Sequence, residues 1–346
     1  EPHPNYNRIL LSPVLAGEQT IDEIVLNSFD WYAANHITLH AGKKVVDVDR
    51  ARRMVRAVDA QGGVTEAAYD RLLLCTGSNP FMLPVPGKDL HGVIAYRDIA
   101  DTQAMIETAR THKNAVVIGG GLLGLEAANG LMLRGMNVTV VHVMPWLMER
   151  QLDDMAGKLL QKSLEERGLK FMIGAQTQEL AGDAHGRVKA IRFKDGTELS
   201  ADLVVMAVGI RPNTELAEKM HLHCNRGIVV DDTMQTVTDP RIYSVGECAA
   251  HRGIAYGLVA PLFEQAKVAA NHLAQLGIGR YQGSQTSTKL KVTGIDLFSA
   301  GEFMGSDGAE EIVMSDPFGG VYKKLVIKDD KLIGACLYGD TSDGSW

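Results

Sequence analysis

The chain has 346 residues, 45% of them hydrophobic, which is enough to bury two or three domain cores. Its net charge of −7, with no basic run, argues against a nucleic-acid partner. No apolar stretch approaches the roughly 20 residues of a membrane helix; residues 115–125, the longest candidate, are rich in glycine and stopped by Glu126.

In chain order, the sequence opens EPHPNYNRILLS, with no initiator Met and no signal peptide. After Asp70, residues 71–80 read RLLLCTGSNP, an apolar strand leaving its sheet through Thr76-Gly77. Residues 114–142, NAVVIGGGLLGLEAANGLMLRGMNVTVVH, predict a strand over 115–118, a glycine turn and a helix over 122–134. Gly135 is the helix stop, and a second strand follows over 138–141. Gly119, Gly121 and Gly124 stand in G-x-G-x-x-G spacing. The first allows the turn, the second lets a pyrophosphate approach the backbone, and the third lets helix and strand pack closely. The helix N-terminus adds free N–H groups, so Gly119, Gly120, Gly121, Leu122, Leu123 and Gly124 are candidate phosphate-binding residues.

The end of the second strand normally carries an acid for the adenosine ribose. Here that place, 23 residues after Gly119, is His142. No arginine immediately follows to grip a 2′-phosphate, so the coenzyme stays open, with NADH favoured for want of a cationic pocket. Further on, VKAIRFKDGTELSADLVV alternates as strands do, with Asp195-Gly196 as a hairpin turn. Residues 203–212, LVVMAVGIRP, then repeat the earlier pattern: Asp202, an apolar strand, and an exit through Val208-Gly209. The recurrence suggests two similarly built nucleotide-binding domains, one inserted in the other. TDPRIYSVGECAA at 238–250 precedes YGLVAPLFEQAKVAANHLA at 256–274. Pro261 suits a first helical position, and Leu262, Ala266, Ala269 and Ala270 share one face. From about Ser284, strand-like runs alternate with turns.

Together these motifs resemble the two-dinucleotide-domain flavoprotein reductases of the pyridine nucleotide-disulfide oxidoreductase type. EPHPNYNRILLSPVLAGE, HVMPWLMERQLD, RGIVVDDTMQT and KVTGIDLFSAG extend the likeness over essentially the whole chain. They resemble the N-terminal reductase region of NAD(P)H-dependent nitrite reductase large subunits. The resemblance implies an α/β fold with two Rossmann-like domains and a small α+β interface domain. A discontinuous FAD domain (1–109 and 229–283) would enclose an NAD(P) domain (110–228), with the interface domain at 284–346. FAD and NAD(P)H are the implied cofactors. Thr76, Gly77, Val208 and Gly209 would line them as strand ends. Gly246-Glu247 stands where the family has Gly-Asp on the ribityl chain of FAD, and Ala260 and Pro261 open the helix facing the flavin. Arg8 resembles an arginine beside the FAD pyrophosphate. Glu126 matches an acid near the flavin–nicotinamide stack, which relatives pair with the lysine of an L-S-K motif. Here Leu11-Ser12-Pro13 lacks that lysine. Glu126 is therefore a candidate to touch the nicotinamide ribose or amide, or to offset the helix dipole from the first turn.

The same fold needs a glycine loop for FAD, and none precedes Gly119. Glu1 is accordingly expected to be the ribose-binding acid of a β-α-β unit in front of it. The sequence is expected to be cut at both ends and to hold NAD(P) better than FAD. Fe–S clusters need grouped cysteines, whereas Cys75, Cys224, Cys248 and Cys336 are scattered with no C-x-x-C pair. Cys75 and Cys248 read as small apolar fillers, and the cysteine usage suits a reducing cytoplasm. The Fe–S and sirohaem centres that reduce nitrite to ammonia are thus expected only downstream, as later domains or with a small subunit. A second copy of the chain is a further expected partner. The eleven histidines contain no H-E-x-x-H run, and no metal is expected. Alternatives are a stand-alone ferredoxin or rubredoxin reductase, an NADH oxidase, or a non-catalytic nucleotide-binding sensor or interaction module.

Overall fold

The computed structural model describes residues 1–284, 287–292 and 294–345; Thr293, within the TGIDLFSAG segment, lies outside them. Contacts divide the chain into two compact units. The first comprises Asn7–Ile24, Pro80–Gly209 and the described residues from 287 on; the second comprises Glu1–Tyr6, Val25–Asn79 and 210–284. This division is coarser than the four spans read from the sequence; it places 7–24 and 80–109 with the glycine-turn sheet and 210–228 with the other unit.

In the first unit, α1 (Leu11–Ala16), β1 (Val93–Ala95), α2 (Ile99–Thr111) and β2 (Asn114–Ile118) come first in the chain. Then follow α3 (Leu122–Leu133), β3 (Asn137–His142), α4 (Asp154–Glu166), β4 (Lys170–Ile173) and β5 (Leu203–Met206). The five strands pair in parallel in the order β1-β5-β2-β3-β4. Crossover helices cover such a sheet, so its strands are continuous apolar runs; Val116, Val117, Val140, Val204 and Val205 are all buried. Capping sets the helix starts. Asp98 accepts the Asp101 N–H at 2.9 Å before α2, and Asp153 accepts the Ala156 N–H at 3.1 Å before α4. Gly135, at φ +85°, ends α3 as its sequence position predicts.

A three-stranded antiparallel sheet (Thr177–Gly182, Val188–Phe193, Glu198–Ser200) packs Ile191 and Phe193 against Val116, Ile118, Val204 and Met206. Gly196 takes φ +86° at the predicted hairpin turn. The chain then forms β6 (Ser287–Val292), β7 (Ile295–Gly301), β8 (Glu310–Asp316), β9 (Val321–Lys328) and β10 (Lys331–Tyr338). These five are antiparallel in the order β6-β7-β10-β9-β8. The expected α+β character narrows here to β: among the described residues from 287 on, the only helical turn is the short 3-10 turn at Ser342–Ser345.

The second unit holds an antiparallel sheet (Lys44–Asp49, Met54–Val58, Val64–Ala68). It also holds two parallel pairs: Leu72–Leu74 with Ile242–Ser244, and Ile228–Val230 with Ala249–His251. Its long helix is α5 (Val259–Leu273). Leu74, Ile228, Ile242 and Cys248 share one core, while Val230, Tyr256, Ala269 and Tyr281 share another. Cys248 is the buried filler its position suggested. Cys75 is exposed, which corrects that reading for it. Among the described residues no helix is long and apolar enough to cross a membrane.

Candidate functional site

The glycine turn joins β2 to α3 in the first unit. Gly119 has φ +120°, and a Cβ there would lie 2.2 Å from the Ala207 carbonyl oxygen. A Cβ on Gly124 would lie 2.0 Å from the Gly119 oxygen, so both positions admit only glycine without backbone movement. Gly121 differs: a Cβ there would meet nothing within 4 Å. It is also the N-cap of α3, with no side chain capping the 12-residue helix. Open space before uncapped N–H groups, at a positive dipole end, is what a pyrophosphate requires. Leu122 and Leu123 begin the helix beside it, Leu123 exposed. On the neighbouring strand end, Val208 packs partly buried against the core, and Gly209 takes φ +111° with open space around it. The residues present therefore fit a dinucleotide.

His142 does not present a free ring to a ribose. It is buried, with the Gly120 N–H donating to Nδ1 at 3.0 Å. That donor assigns the ring hydrogen to Nε2, which lies 3.0 Å from the Trp146 carbonyl and 3.2 Å from Glu149 Oε2. Both ring nitrogens are engaged inside the protein, so the ribose contact expected of this side chain is corrected.

Glu126 occupies the fifth position of α3, past the first turn where the dipole acts, so the dipole explanation loses its basis. Pro13 stands where the L-S-K motif would have its lysine, and a neutral hydroxyl chain lies beside Glu126 instead. Ser12 on α1 donates to Glu126 Oε2 at 2.6 Å, and its oxygen lies 3.1 Å from the Tyr96 hydroxyl. Burial pushes the Glu126 carboxyl above its ordinary range, and the Ser12 donor pulls the other way. Arg8, also in this unit, donates from Nη1 to the Arg97 carbonyl at 2.8 Å.

The second unit collects the other expected residues. The Thr76 hydroxyl donates to the Asn213 carbonyl at 2.7 Å, and the Gly77 carbonyl accepts the Asn213 N–H at 2.9 Å. Ser78 donates to Glu247 Oε2 at 2.8 Å, and Gln265 Oε1 accepts the Gly246 N–H at 3.0 Å. Gly246, at φ +91°, faces open space. Ala260 and Pro261 lie in the first turn of α5, Pro261 at the third position rather than the first; Leu258 provides no side-chain cap. Glu1 accepts the Tyr6 hydroxyl at 2.6 Å. An open glycine, a buttressed carboxylate and an uncapped helix fit the ribityl-and-ring end of a flavin. No G-x-G-x-x-G run occurs in residues 1–118 to fit its pyrophosphate. Sequence reading missed Ser12, Tyr96, Ser78, Asn213, Gln265 and Glu149. Only Ser12, inside the motif that lacks its lysine, carried any local signal.

Among the described residues no group of three His, Cys, Asp or Glu could hold a metal ion. His36 and His40 are four apart, but they lie exposed beyond the helix Phe29–Ala34.

A central parallel strand ending in a glycine turn under an uncapped helix defines a dinucleotide-binding protein. Comparison with known families narrows this. Residues 1–272 match the pyridine nucleotide-disulphide oxidoreductase family, and residues 287–346 match the rubredoxin NAD+ reductase C-terminal domain. The chain belongs to the pyridine nucleotide-disulphide oxidoreductase family, a family of oxidoreductases. It is 53% identical to a nitrite reductase [NAD(P)H] of Bacillus subtilis, over 100% of this chain and 42% of that protein. It is 48% identical to an assimilatory nitrate reductase electron transfer subunit of the same organism, over 99% of this chain and 44% of that one. The chain thus spans less than half the length of these relatives. Among solved structures, a ferredoxin reductase from Rhodopseudomonas palustris superposes with a TM-score of 0.87 at 26% identity. That match covers 99% of this chain and 84% of the other.

Proposed function

We propose that this chain is the NAD(P)H-oxidising reductase part of a longer flavoprotein. The observation that carries the reading is the open Gly121 position under the uncapped α3. Bound NAD(P)H supplies a hydride and bound FAD accepts it. The chain's own residues bind and orient. Gly119, Gly120, Gly121 and the first N–H groups of α3 hold the coenzyme pyrophosphate, beside Val208 and Gly209. Glu126 accepts a hydrogen bond from the nicotinamide ribose or amide, and Ser12 fixes which carboxylate oxygen is offered. Glu247, steadied by Ser78, accepts from the ribityl chain, while Ala260 and Pro261 open the helix end that donates to the ring. Thr76 and Gly77 shape the same strand end. Arg8 and Glu1 are the proposed contacts to the remaining phosphate and ribose of FAD.

Electrons would then pass to Fe–S and sirohaem centres of a longer chain or a small subunit, in a cytoplasmic nitrite-reducing assembly that contains either one copy or two. The C-terminal match favours one other acceptor, a small redox protein such as a rubredoxin or ferredoxin. The test is a titration of the chain with NADH, NADPH and FAD, followed by reduction of an artificial acceptor. Coenzyme binding tighter than FAD binding, and acceptor reduction that needs both, are expected. Failure to bind either coenzyme would sink the reading, and tight stoichiometric FAD retention would overturn the predicted order.

A further inference from the structure

We infer that Glu149, not the residue at the end of β3, reads the adenosine ribose and makes the chain prefer NADH. The inference rests on the dinucleotide reading and adds the coenzyme it takes. His142 occupies the expected place, but its ring bridges inward: the Gly120 N–H donates to Nδ1, leaving the Nε2 hydrogen shared between the Trp146 carbonyl at 3.0 Å and Glu149 Oε2 at 3.2 Å. A carboxylate is thereby set one imidazole away from the glycine turn.

The loop that carries it is pinned to that turn. The Met148 N–H bonds the Gly120 carbonyl at 3.0 Å, with Met148 held at φ +53°. The Trp146 indole donates to the Leu152 carbonyl at 2.9 Å, closing the loop from its other end. His142 acts here as a positioning residue. Glu149 is half-buried; Oε2 faces the ring, and Oε1, with the Arg150 Nε 4.0 Å away, is the oxygen offered to hydroxyl donors. Val143 and Met144, exposed directly after β3, offer an apolar face on which an adenine can lie. The nearby cation, Arg150, stands 4.0 Å from Glu149 Oε1 and is largely exposed. A carboxylate accepts the two ribose hydroxyls of NADH and repels the 2′-phosphate of NADPH. One charged hydrogen bond corresponds to about tenfold in affinity or more.

The experiment measures dissociation constants of NADH and NADPH for the wild-type chain, Glu149→Gln and Glu149→Asp by calorimetry, with melting curves for each. Wild type is expected to bind NADH at least about tenfold more tightly than NADPH. Glu149→Gln should lose most of that ratio through NADH while its melting midpoint holds, and Glu149→Asp should restore part of it. ADP-ribose and its 2′-phosphate, compared on the wild-type chain, should show the same ratio without the nicotinamide and without any variant. An NADPH preference in wild type, or an unchanged ratio in Glu149→Gln, would overturn the role of Glu149 while leaving the dinucleotide reading intact. Binding of neither coenzyme would overturn both.

Discussion

Glu126 is held by partners that its own neighbourhood does not announce: Ser12 lies 114 residues away in sequence, and Tyr96 lies 84 residues from Ser12. The motif around Ser12 showed that a lysine was missing; only the packing of α1 on α3 showed what replaced it. The consequence is a carboxyl raised by burial with no cation to bring it down, and a single hydroxyl donor opposing that rise. Ser12→Ala removes the opposing donor. The acid limb of the pH profile of kcat/KM for coenzyme oxidation should therefore move to higher pH, and a limb that stays in place would separate Glu126 from the reaction. Stability gives an independent reading. A group whose folded pKa is raised contributes its stability in acid and loses it as pH rises through that pKa. Glu126→Gln should match wild type in acid and melt higher than wild type as the medium becomes neutral, by a margin that grows until the pH has passed the folded pKa and is constant beyond it.

At the scale of the element, the β2–α3–β3 unit was legible because everything it needs lies in 29 consecutive residues, 114–142. Apolar runs of strand length, a helical stretch and glycines at fixed offsets are local signals, and the structure places them within a residue or two of the expected bounds. What the unit lacks locally is its acid, since that depends on how the loop after β3 folds back onto Gly120. The glycines themselves separate fold from function. Gly121→Ala adds a methyl into open space, so its melting temperature should stay within a degree or two of wild type, while coenzyme affinity falls at least about tenfold because the phosphate can no longer approach. Gly124→Ala drives a methyl to 2.0 Å from a backbone oxygen. That overpacking should cost about 1–3 kcal/mol and affinity as well. Equal stability in the two variants, measured by denaturant unfolding, would mean that the helix does not close on the turn as described.

At the scale of the molecule, the C-terminal strands were legible as strands, but the face that β9 buries was not. In β9 the more apolar set is Val321, Leu325 and Ile327, which share their face with Lys323, yet the buried set is Tyr322, Lys324 and Val326. A lysine turns inward because acids wait there: Lys324 Nζ is 2.8 Å from Glu311 and 3.8 Å from Asp153. The Tyr322 hydroxyl donates to Asp153 Oδ2 at 2.7 Å, and burial with that carboxylate pushes the phenol well above its ordinary range. Asp153 is also the N-cap of α4, so one side chain joins the crossover helix of the nucleotide sheet to the C-terminal sheet. Removing it strips a cap, worth about 1 kcal/mol. It also leaves a buried hydroxyl without its acceptor, for about 1–3 kcal/mol more. Asp153→Ala should therefore lose about 2–4 kcal/mol in urea unfolding. Asp153→Asn, which can keep the Oδ1 cap of α4 while its amide NH2 donates to the Tyr322 hydroxyl oxygen, should lose less. If this residue is what makes the two sheets unfold together, the alanine variant should also broaden or split the transition. A loss below about 1 kcal/mol with a single sharp transition would instead place the coupling in the apolar contacts of α4 and in the 2.7 Å contact between Ser163 Oγ and the Tyr338 hydroxyl.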